Sequence, residues 1–351
     1  MPEIRLKENR MVGDGHPAYI IAEMSANHAG SYERAIEIIH AAKEAGADCI
    51  KIQTYTADTI TLDCRNKYFY LDNGTWEGEN LHDLYKKAYT PWEWHKGLKE
   101  EADRIGIDFF STPFDFSAVD FLESIDIDFY KIASFEAVDI PLIKKVASTG
   151  KAIIMSTGMA SVMEIQEAVD AVKSQGNDNL AILKCCSVYP AIPDNMNLRT
   201  IQDIKERFDV AAGLSDHSMG HVAALTAVAL GANIIEKHFC LGREIDNPDA
   251  SFSMEPSEFK AMVDDIRQAE KAMGIVSYEL SEKEKNSRDL RKSIFVSADI
   301  KAGDIISTDN IRVVRPGYGL MPKYYDEVIG RRALVDIEFG TPLAWEHISG
   351  N

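Results

Sequence analysis

Val210-Ala211-Ala212-Gly213-Leu214-Ser215-Asp216-His217 and Asn233-Ile234-Ile235-Glu236-Lys237-His238 are the two stretches whose reading decides the fold. Each starts as an apolar run of strand length and ends in a polar triplet closed by a histidine. Between them, Gly220 to Gly231 has the length of one helix. Strand, helix and strand at this spacing form one parallel βα unit, because parallel neighbours need a crossover that is usually helical. The two strand ends then lie side by side at one rim of the sheet, and so do the two imidazoles. Two imidazoles at the carboxyl rim of a parallel sheet can hold a divalent metal.

The same alternation runs along the chain in both directions from this unit. Strands are expected at Tyr19–Glu23, Asp48–Ile52, Asp108–Ser111, Phe129–Ile132, Ala152–Ser156, Ala181–Lys184, Val210–Leu214 and Asn233–Lys237. Helices are expected at Ser31–Ala45, Trp92–Ile105, Ser117–Ser124, Ile140–Ala147, Ser161–Ser174, Thr200–Phe208, His221–Leu230 and Ser257–Met273. Ser31 reads as a helix entry, and Ser161 with Glu164 as a capping box. Repetition of strand and helix around a full circle predicts an α/β fold, a (β/α)8 TIM barrel. A doubly wound open sheet would need fewer strands and usually a Gly-rich phosphate loop after the first, which does not occur here.

Two regions break the rhythm. Thr54 to Thr90 is a long insertion after the second strand, rich in aromatics (Tyr55, Tyr68, Phe69, Tyr70, Trp76, Tyr85, Tyr89). Loops of this length at the carboxyl face of a barrel usually cover or shape a site. After Met273 the composition shifts, and Ser281 to Arg291 is strongly charged. Short strands are expected beyond it at Ser293–Val296, Ile311–Val314 and Leu334–Ile337, amid Gly and Pro. The reading is therefore a barrel over 1–280, a linker over 281–292 and a small, mostly β domain over 293–351. So small a domain needs a surface to dock on.

Bulk properties exclude several classes. The chain has 351 residues, 45% hydrophobic and 27% charged, as in a soluble globular protein. No uninterrupted apolar segment is long enough to span a membrane. The start, Met1-Pro2-Glu3-Ile4-Arg5, lacks the basic-then-apolar pattern of a secretory signal. The net charge of −18 opposes nucleic acid and anionic membranes as partners. A small anionic substrate must then be met by local lysines or a metal. The five cysteines (Cys49, Cys64, Cys185, Cys186, Cys240) form no paired framework and suit reduced thiols in the cytoplasm. Cys185 and Cys186 are too close for ordinary disulfide geometry and are taken as packing.

A barrel carries its chemistry on strand ends and the loops that follow. Those positions hold Glu23, Ser25, Asn27 and His28; Lys51 and Gln53; Ser111, Thr112 and Asp115; Lys131, Ser134 and Glu136; Ser156; Lys184, Cys186, Ser187 and Tyr189; Ser215 and His217; Glu236 and His238. Taken singly, Gln53, Ser111, Lys184 and Tyr189 favour an ordinary structural reading, as solvated residues or caps. Lys51 and Lys131 resist it, because each follows apolar strand residues and a buried ammonium is costly without an anion. Two histidines without a thiolate cluster suit a catalytic ion with open positions rather than structural zinc. The residues alone thus indicate a barrel enzyme with a two-histidine metal site, an anion-binding lysine pair and carboxylates Glu23, Glu136 and Glu236. Phosphorylated or carboxylated small molecules are its natural substrates.

An ordered set of motifs carries a resemblance. Ile21-Ala22-Glu23 with Ser25-Ala26-Asn27-His28, Lys51-Ile52-Gln53-Thr54, Ser111-Thr112-Pro113-Phe114-Asp115, Lys131-Ile132-Ala133-Ser134, Ser156-Thr157-Gly158-Met159, Gly213-Leu214-Ser215-Asp216-His217, Glu236-Lys237-His238-Phe239 and Arg315-Pro316-Gly317 occur in this order. Over nearly its whole length the chain resembles the sialic acid synthase family. Ser25 to His28, Lys51 to Tyr55 and Tyr89-Thr90-Pro91-Trp92-Glu93-Trp94-His95 resemble its pseudaminic acid synthase branch. In two places the pattern departs from the family: Asn247-Pro248-Asp249 stands for a Gly-Pro-Asp stretch, and Ser187 stands where sialic acid branches often carry asparagine.

The resemblance implies condensation of phosphoenolpyruvate with an open-chain amino-sugar aldehyde and water, releasing a nine-carbon 2-keto acid and phosphate by C–O cleavage. In the pseudaminate branch the sugar is 2,4-diacetamido-2,4,6-trideoxy-L-altrose. It implies a divalent ion, Mn2+ ahead of Mg2+ or Co2+, on His217 and His238. Phosphoenolpyruvate would be bound by Lys51, Lys131, Ser134, Ser156, Ser187 and Ser215. Glu23 and Glu136 would manage water and protons, and Gln53, Thr112, Tyr189 and Asp249 would meet the sugar. Trp76 and Tyr68–Tyr70 would line the deoxy end of that sugar or form loop core. The C-terminal domain resembles the antifreeze-like (SAF) module, which in the family covers the barrel of the partner in a swapped homodimer, Arg315 reaching an N-acetyl carbonyl. Three alternatives stay open: the same reaction on N-acetylmannosamine or the legionaminate precursor, a metal-dependent pyruvate aldolase or lyase, and a non-catalytic carbohydrate-binding barrel.

Overall fold

The computed structural model describes residues 3–72 and 75–349. The chain forms two compact units, 1–274 and 275–351.

The first unit is a closed barrel. Its strands are preceded by a hairpin, β1 (Glu3–Lys7) and β2 (Arg10–Gly13). The barrel strands follow as β3 (Tyr19–Glu23), β4 (Cys49–Thr54), β5 (Asp108–Pro113), β6 (Phe129–Ile132), β7 (Ala152–Ser156), β8 (Leu180–Cys185), β9 (Ala211–Asp216) and β10 (Ile234–His238). Each pairs in parallel with the next, and β10 returns to β3. The expected TIM barrel is the fold observed. The strands are buried along nearly their whole length, as a sheet wrapped by helices requires. Gly213 lets β9 lie close against β10: a Cβ there would fall 2.2 Å from the Ile234 carbonyl oxygen.

Helices sit close to the expected spans. Trp92–Ile105, Ile140–Ala147 and Thr200–Phe208 match, and Ser31 and Ser161 cap their helices as read, Ser161 in a capping box with Glu164. Several strands run further toward the carboxyl rim than their apolar runs. β4 extends to Thr54, β5 to Pro113 and β9 to Asp216, because ladder hydrogen bonds continue where hydrophobicity stops.

The β1–β2 hairpin was not foreseen. It buries Ile4, Leu6 and Val12 against the barrel core. Lys7 and Arg10 pair with Asp108, the first residue of β5, so the hairpin closes the amino-terminal end. The opposite, carboxyl rim is left for the loops. The insertion after β4 contains helices Ala57–Ile60 and Leu81–Ala88 and folds over aromatic contacts, among them Tyr55 with Tyr85 and with Phe114.

The second unit pairs β11 (Ser293–Val296) and β12 (Ile311–Val314) antiparallel, as read from sequence. Leu334–Ile337 is not a strand: Ala333 and Ile337 make only isolated bridges, and Leu334 and Val335 are exposed. The core gathers Ile294, Val296, Ile300, Ile306, Ile311, Val328 and Leu343. Among the described residues no helix is long and apolar enough to cross a membrane.

Candidate active site

The carboxyl rim of the barrel gathers most of the polar residues singled out in the sequence. Parity explains it. Glu23 on β3 pairs with Lys51 on β4 and with His238 on β10, and Glu236 pairs with Ser215 on β9. Residues two apart on a strand share a face.

Glu236 is the hub. Its Oε1 lies 3.5 Å from Lys51 Nζ, 3.8 Å from Lys131 Nζ and 3.4 Å from the Ser215 hydroxyl, which donates to it. Lys51 Nζ lies 2.5 Å from Glu23 Oε2 and 3.4 Å from Thr112 Oγ1. Lys131 Nζ donates to Ser156 Oγ at 2.7 Å and to the Ile132 carbonyl at 3.3 Å. Gln53 Nε2 donates to Glu23 Oε1 at 3.2 Å and to Ser25 Oγ at 2.9 Å. Glu23, Lys51, Thr112, Lys131, Ser156, Ser215 and Glu236 are all buried.

Burial and charge split these groups. Burial raises the Glu23 carboxyl above its ordinary range, against the pull of Lys51 and with a push from Glu236. Burial pushes Glu236 the same way, but Lys131, Lys51 and His217 outweigh it and hold its carboxyl low. Burial lowers Lys131, and Glu236 only partly restores it. Burial pulls on Lys51 too, yet Glu23 and Glu236 overcome it and raise its pKa. Glu136 is pushed up by burial to about 7. Two lysines thus converge on the carboxylates of Glu236 and Glu23, which places local cationic groups where an anion could be met despite a chain charge of −18.

Beside Lys131 lies a small hydroxyl cradle. A Cβ on Gly158 would fall 2.5 Å from Ser134 Cβ, 2.7 Å from Ser187 Oγ and 2.8 Å from Ser134 Oγ. Only glycine fits there, at φ +42°, so the two hydroxyls converge on space that a side chain would fill.

The two histidines meet across β9 and β10. Their ring centroids are 5.3 Å apart. His217 Nδ1 lies 3.1 Å from the Cys186 carbonyl oxygen. A carbonyl only accepts, so Nδ1 donates. Burial pulls the His217 pKa down, but Cys185 and the Cys186 carbonyl outweigh it and raise it, and Nε2 offers its lone pair when the ring is deprotonated. His238 is held neutral by burial, reinforced by His217 and nearby lysines. Its Nδ1 is buried without a hydrogen bond among the described residues, 4.0 Å from Asp249 Oδ2. Asp249 in turn accepts from the Ala26 N–H at 3.3 Å, and burial raises its pKa. No three His, Cys, Asp or Glu side chains are grouped for a cation among the described residues. The residues fit an ion held by two imidazoles with open positions, not a closed structural site.

Aromatic rings wall this pair. The Tyr189 ring lies 4.4 Å from His217 and 5.1 Å from Phe252, whose ring lies 5.0 Å from His238. Trp76 from the insertion packs 5.5 Å from Tyr189 and donates from Nε1 to the Pro248 carbonyl at 3.1 Å. Tyr68 by contrast is exposed.

Some of this was not read from sequence. Phe252 lies in a loop with no motif of its own. Gly158 has no assigned role in the sequence beyond its place in Ser156-Thr157-Gly158-Met159. Cys185, read as packing, is buried with Sγ 3.7 Å from His217 Nδ1 and 3.6 Å from Ser187 Oγ, so it borders the site. Lys184 matches its plain reading, donating to the Cys185 carbonyl. Arg315 is exposed on the second unit and makes no hydrogen bond or ion pair among the described residues.

A closed parallel barrel with paired lysines, carboxylates and histidines at its carboxyl rim has the layout of a barrel enzyme. Comparison with known proteins agrees with this class. Residues 38–278 match the NeuB family and residues 291–349 the SAF domain. The chain belongs to the NeuB family, that of the sialic acid synthases. It is 48% identical to a pseudaminic acid synthase of Campylobacter jejuni, over 93% of this chain and 95% of that protein. It is 37% identical to an N,N'-diacetyllegionaminic acid synthase of Legionella pneumophila, over 96% of each. Among solved structures, an N-acetylneuraminic acid synthetase from Leptospira borgpetersenii superposes with a TM-score of 0.72 at 33% identity, covering 81% of this chain and 94% of that one.

Proposed function

We propose that this chain is a pseudaminic acid synthase. It joins phosphoenolpyruvate, 2,4-diacetamido-2,4,6-trideoxy-L-altrose and water into pseudaminate and phosphate. The observation that carries the chemistry is the meeting of Lys51 and Lys131 over Glu236 at the rim where His217 and His238 converge. The choice of sugar is supported by identity, 48% to a pseudaminic acid synthase against 37% to a legionaminic one.

Each residue has work that its position suits. Lys51 and Lys131 neutralise the carboxylate and phosphate of phosphoenolpyruvate, with Ser156 and Ser215 completing the polar lining. Ser134 and Ser187, spread around Gly158, donate to phosphate oxygens. Glu136, with its carboxyl near neutrality, holds the proton exchanged when water adds at C2 and phosphate leaves. Glu23, bridging Lys51 and Gln53, is the second proton carrier on the same face. Gln53, Thr112, Tyr189 and Asp249 face the sugar. His217 and His238 hold the divalent ion, Mn2+ ahead of Mg2+ or Co2+, and when bound that ion supplies Lewis-acid polarisation of the aldehyde oxygen.

The working unit is a homodimer in the cytoplasm. Phe116, Phe135, Met159, Met163, Met219 and Val222 lie exposed on successive loops and helix starts after β5, β6, β7 and β9, an apolar rim that a second copy would cover. Ile275, Val276 and Tyr278 are almost fully exposed at the start of the second unit, which suits the same partner. Arg315, with no partner among the described residues, is free to reach a sugar in that copy. All five cysteines are unpaired, in keeping with a reducing compartment. The catalytic domain is assigned to 1–280, the linker to 281–292 and the SAF domain to 293–351.

A phosphate-release screen tests the assignment. Purified protein is given phosphoenolpyruvate with the trideoxy altrose sugar, the legionaminate precursor or N-acetylmannosamine, with and without chelator. The altrose sugar should turn over fastest and chelator should stop it. Preference for another sugar would move the protein to a sibling activity. With pyruvate supplied in place of phosphoenolpyruvate, a borohydride-trapped adduct on Lys51 or Lys131, together with no phosphate released from phosphoenolpyruvate, would make it an aldolase.

A further inference from the structure

The two histidine motifs each contain a residue that the reaction does not use, Asp216 in Ser215-Asp216-His217 and Lys237 in Glu236-Lys237-His238. By strand alternation both point away from the barrel interior that Ser215, Glu236 and His238 face. They are Cα partners in the β9–β10 ladder. Lys237 Nζ donates to Asp216 Oδ2 at 2.8 Å and to the Ser218 carbonyl at 2.5 Å. Asp216 Oδ1 accepts from the Ser218 N–H at 2.8 Å and from its hydroxyl at 2.7 Å. The two charged side chains are 1% and 0% exposed, so this is a fully buried ion pair.

An ion pair so deep is a weak source of stability, since desolvating two charges offsets their attraction and apolar side chains would serve as well. Nor is it needed for strand pairing, which runs through the backbone from Ile234 to Lys237. Its bonds act one step further on. The ladder between β9 and β10 stops at the Asp216–Lys237 pair, and His217 lies beyond it. His238 is still held by its own ladder partner, Glu23, and by the Met254 N–H. His217 has one backbone tether of that kind, from the Ala191 N–H to its carbonyl. The residues on either side of it, Asp216 and Ser218, are fixed to each other and to Lys237 by four bonds.

We infer that Asp216, Ser218 and Lys237 are positioning residues for the metal site: a buried clamp that sets the His217 backbone, and through it the ring, at the spacing His238 requires. This inference rests on the two-histidine metal reading. Outer partners that orient a ligand typically change metal affinity 10- to 100-fold when removed.

The test measures Mn2+ affinity directly, by the loss of the free-ion electron paramagnetic resonance signal on titrating full-length protein, beside melting curves. The proteins are wild type, Lys237→Met, Asp216→Asn and the apolar double variant Asp216→Leu/Lys237→Met. The clamp requires Mn2+ binding about 10- to 100-fold weaker in each folded variant. The double variant decides the matter if a single variant fails to fold, because an apolar pair removes the stranded charge. It should melt near wild type and still bind Mn2+ weakly. Wild-type affinity in a folded double variant overturns the clamp while leaving the metal reading intact. A wild-type protein that takes up no Mn2+ overturns the metal reading and the clamp together.

Discussion

Replacing Glu136 with glutamine should make the barrel more stable and the protein less active. Burial is the first cause of its raised pKa, about 7 against an ordinary 4.5, with Lys131 only partly offsetting it. Its Oε2 is buried without a hydrogen bond among the described residues. The native state therefore holds this proton more tightly than the unfolded chain. The associated stability is fully present below pH 4.5 and is lost as pH rises through about 7. At about 1.4 kcal/mol per pH unit, the whole loss is roughly 3 kcal/mol at most, because Glu136 keeps some contact with solvent. Glutamine never ionises and escapes it. The sequence pI of about 4.9 makes work below pH 5.5 impractical. Between pH 5.5 and 8.5 the advantage of Glu136→Gln over wild type should grow by ~2 kcal/mol. Urea unfolding followed by far-UV circular dichroism, which the barrel helices dominate, measures it at several pH values, provided the denaturant slope stays constant. Over the same range kcat should fall ~100-fold or more, as expected when a proton-transfer group is lost. Gain of stability with loss of turnover is the pattern of a residue kept for function. A stability difference that does not change with pH would refute the raised pKa, and unimpaired turnover would refute the catalytic role.

Three further outcomes follow from the site. Lys131→Met removes a buried charged donor and should raise KM for phosphoenolpyruvate ~10- to 100-fold in two-substrate steady-state kinetics. An equal rise for the sugar would point to general disruption. Gly158→Ala drives a methyl group onto Ser134 and Ser187. It should weaken phosphoenolpyruvate binding and cost about 1–3 kcal/mol of stability. If melting drops while phosphoenolpyruvate affinity holds, those hydroxyls are not the phosphate cradle. Trp76→Ala opens the apolar wall around Tyr189. The ratio of kcat/KM for the 6-deoxy sugar to that for N-acetylmannosamine should fall ~10-fold, and an unchanged ratio removes Trp76 from sugar selection.

The barrel was legible because short, mostly apolar strand runs alternate with helix-length stretches around the full circle, some of which open on an entry signal such as Ser31 or Ser161 with Glu164. Strand ends were less so. At Ser215-Asp216, at Gln53-Thr54 and at Thr112-Pro113 the side chains turn polar while the backbone ladder continues, so reading hydrophobicity alone stops each strand short. The four-residue β2 strand and its partner β1 are too short to stand out, and their apolar residues make sense only against the barrel floor they cover. Leu334–Ile337 misled for the converse reason, since a short apolar run with two exposed residues has no neighbouring strand to pair with beyond isolated bridges.

The sequence by itself determined the eightfold alternation, the rim on which the chemistry sits and the residues of matching parity that face it, because strand period and helix length are local properties of the chain. Only the tertiary structure decided which of those residues act on one another. That Glu236 sits between Lys51 and Lys131 depends on closing the sheet into a barrel, while the space Gly158 leaves between Ser134 and Ser187 and the contact of Asp216 with Lys237 depend on how neighbouring strands meet in register. Closure brings together groups that lie far apart along the chain, and burial then sets their charges. Neither effect is written in any local stretch of residues.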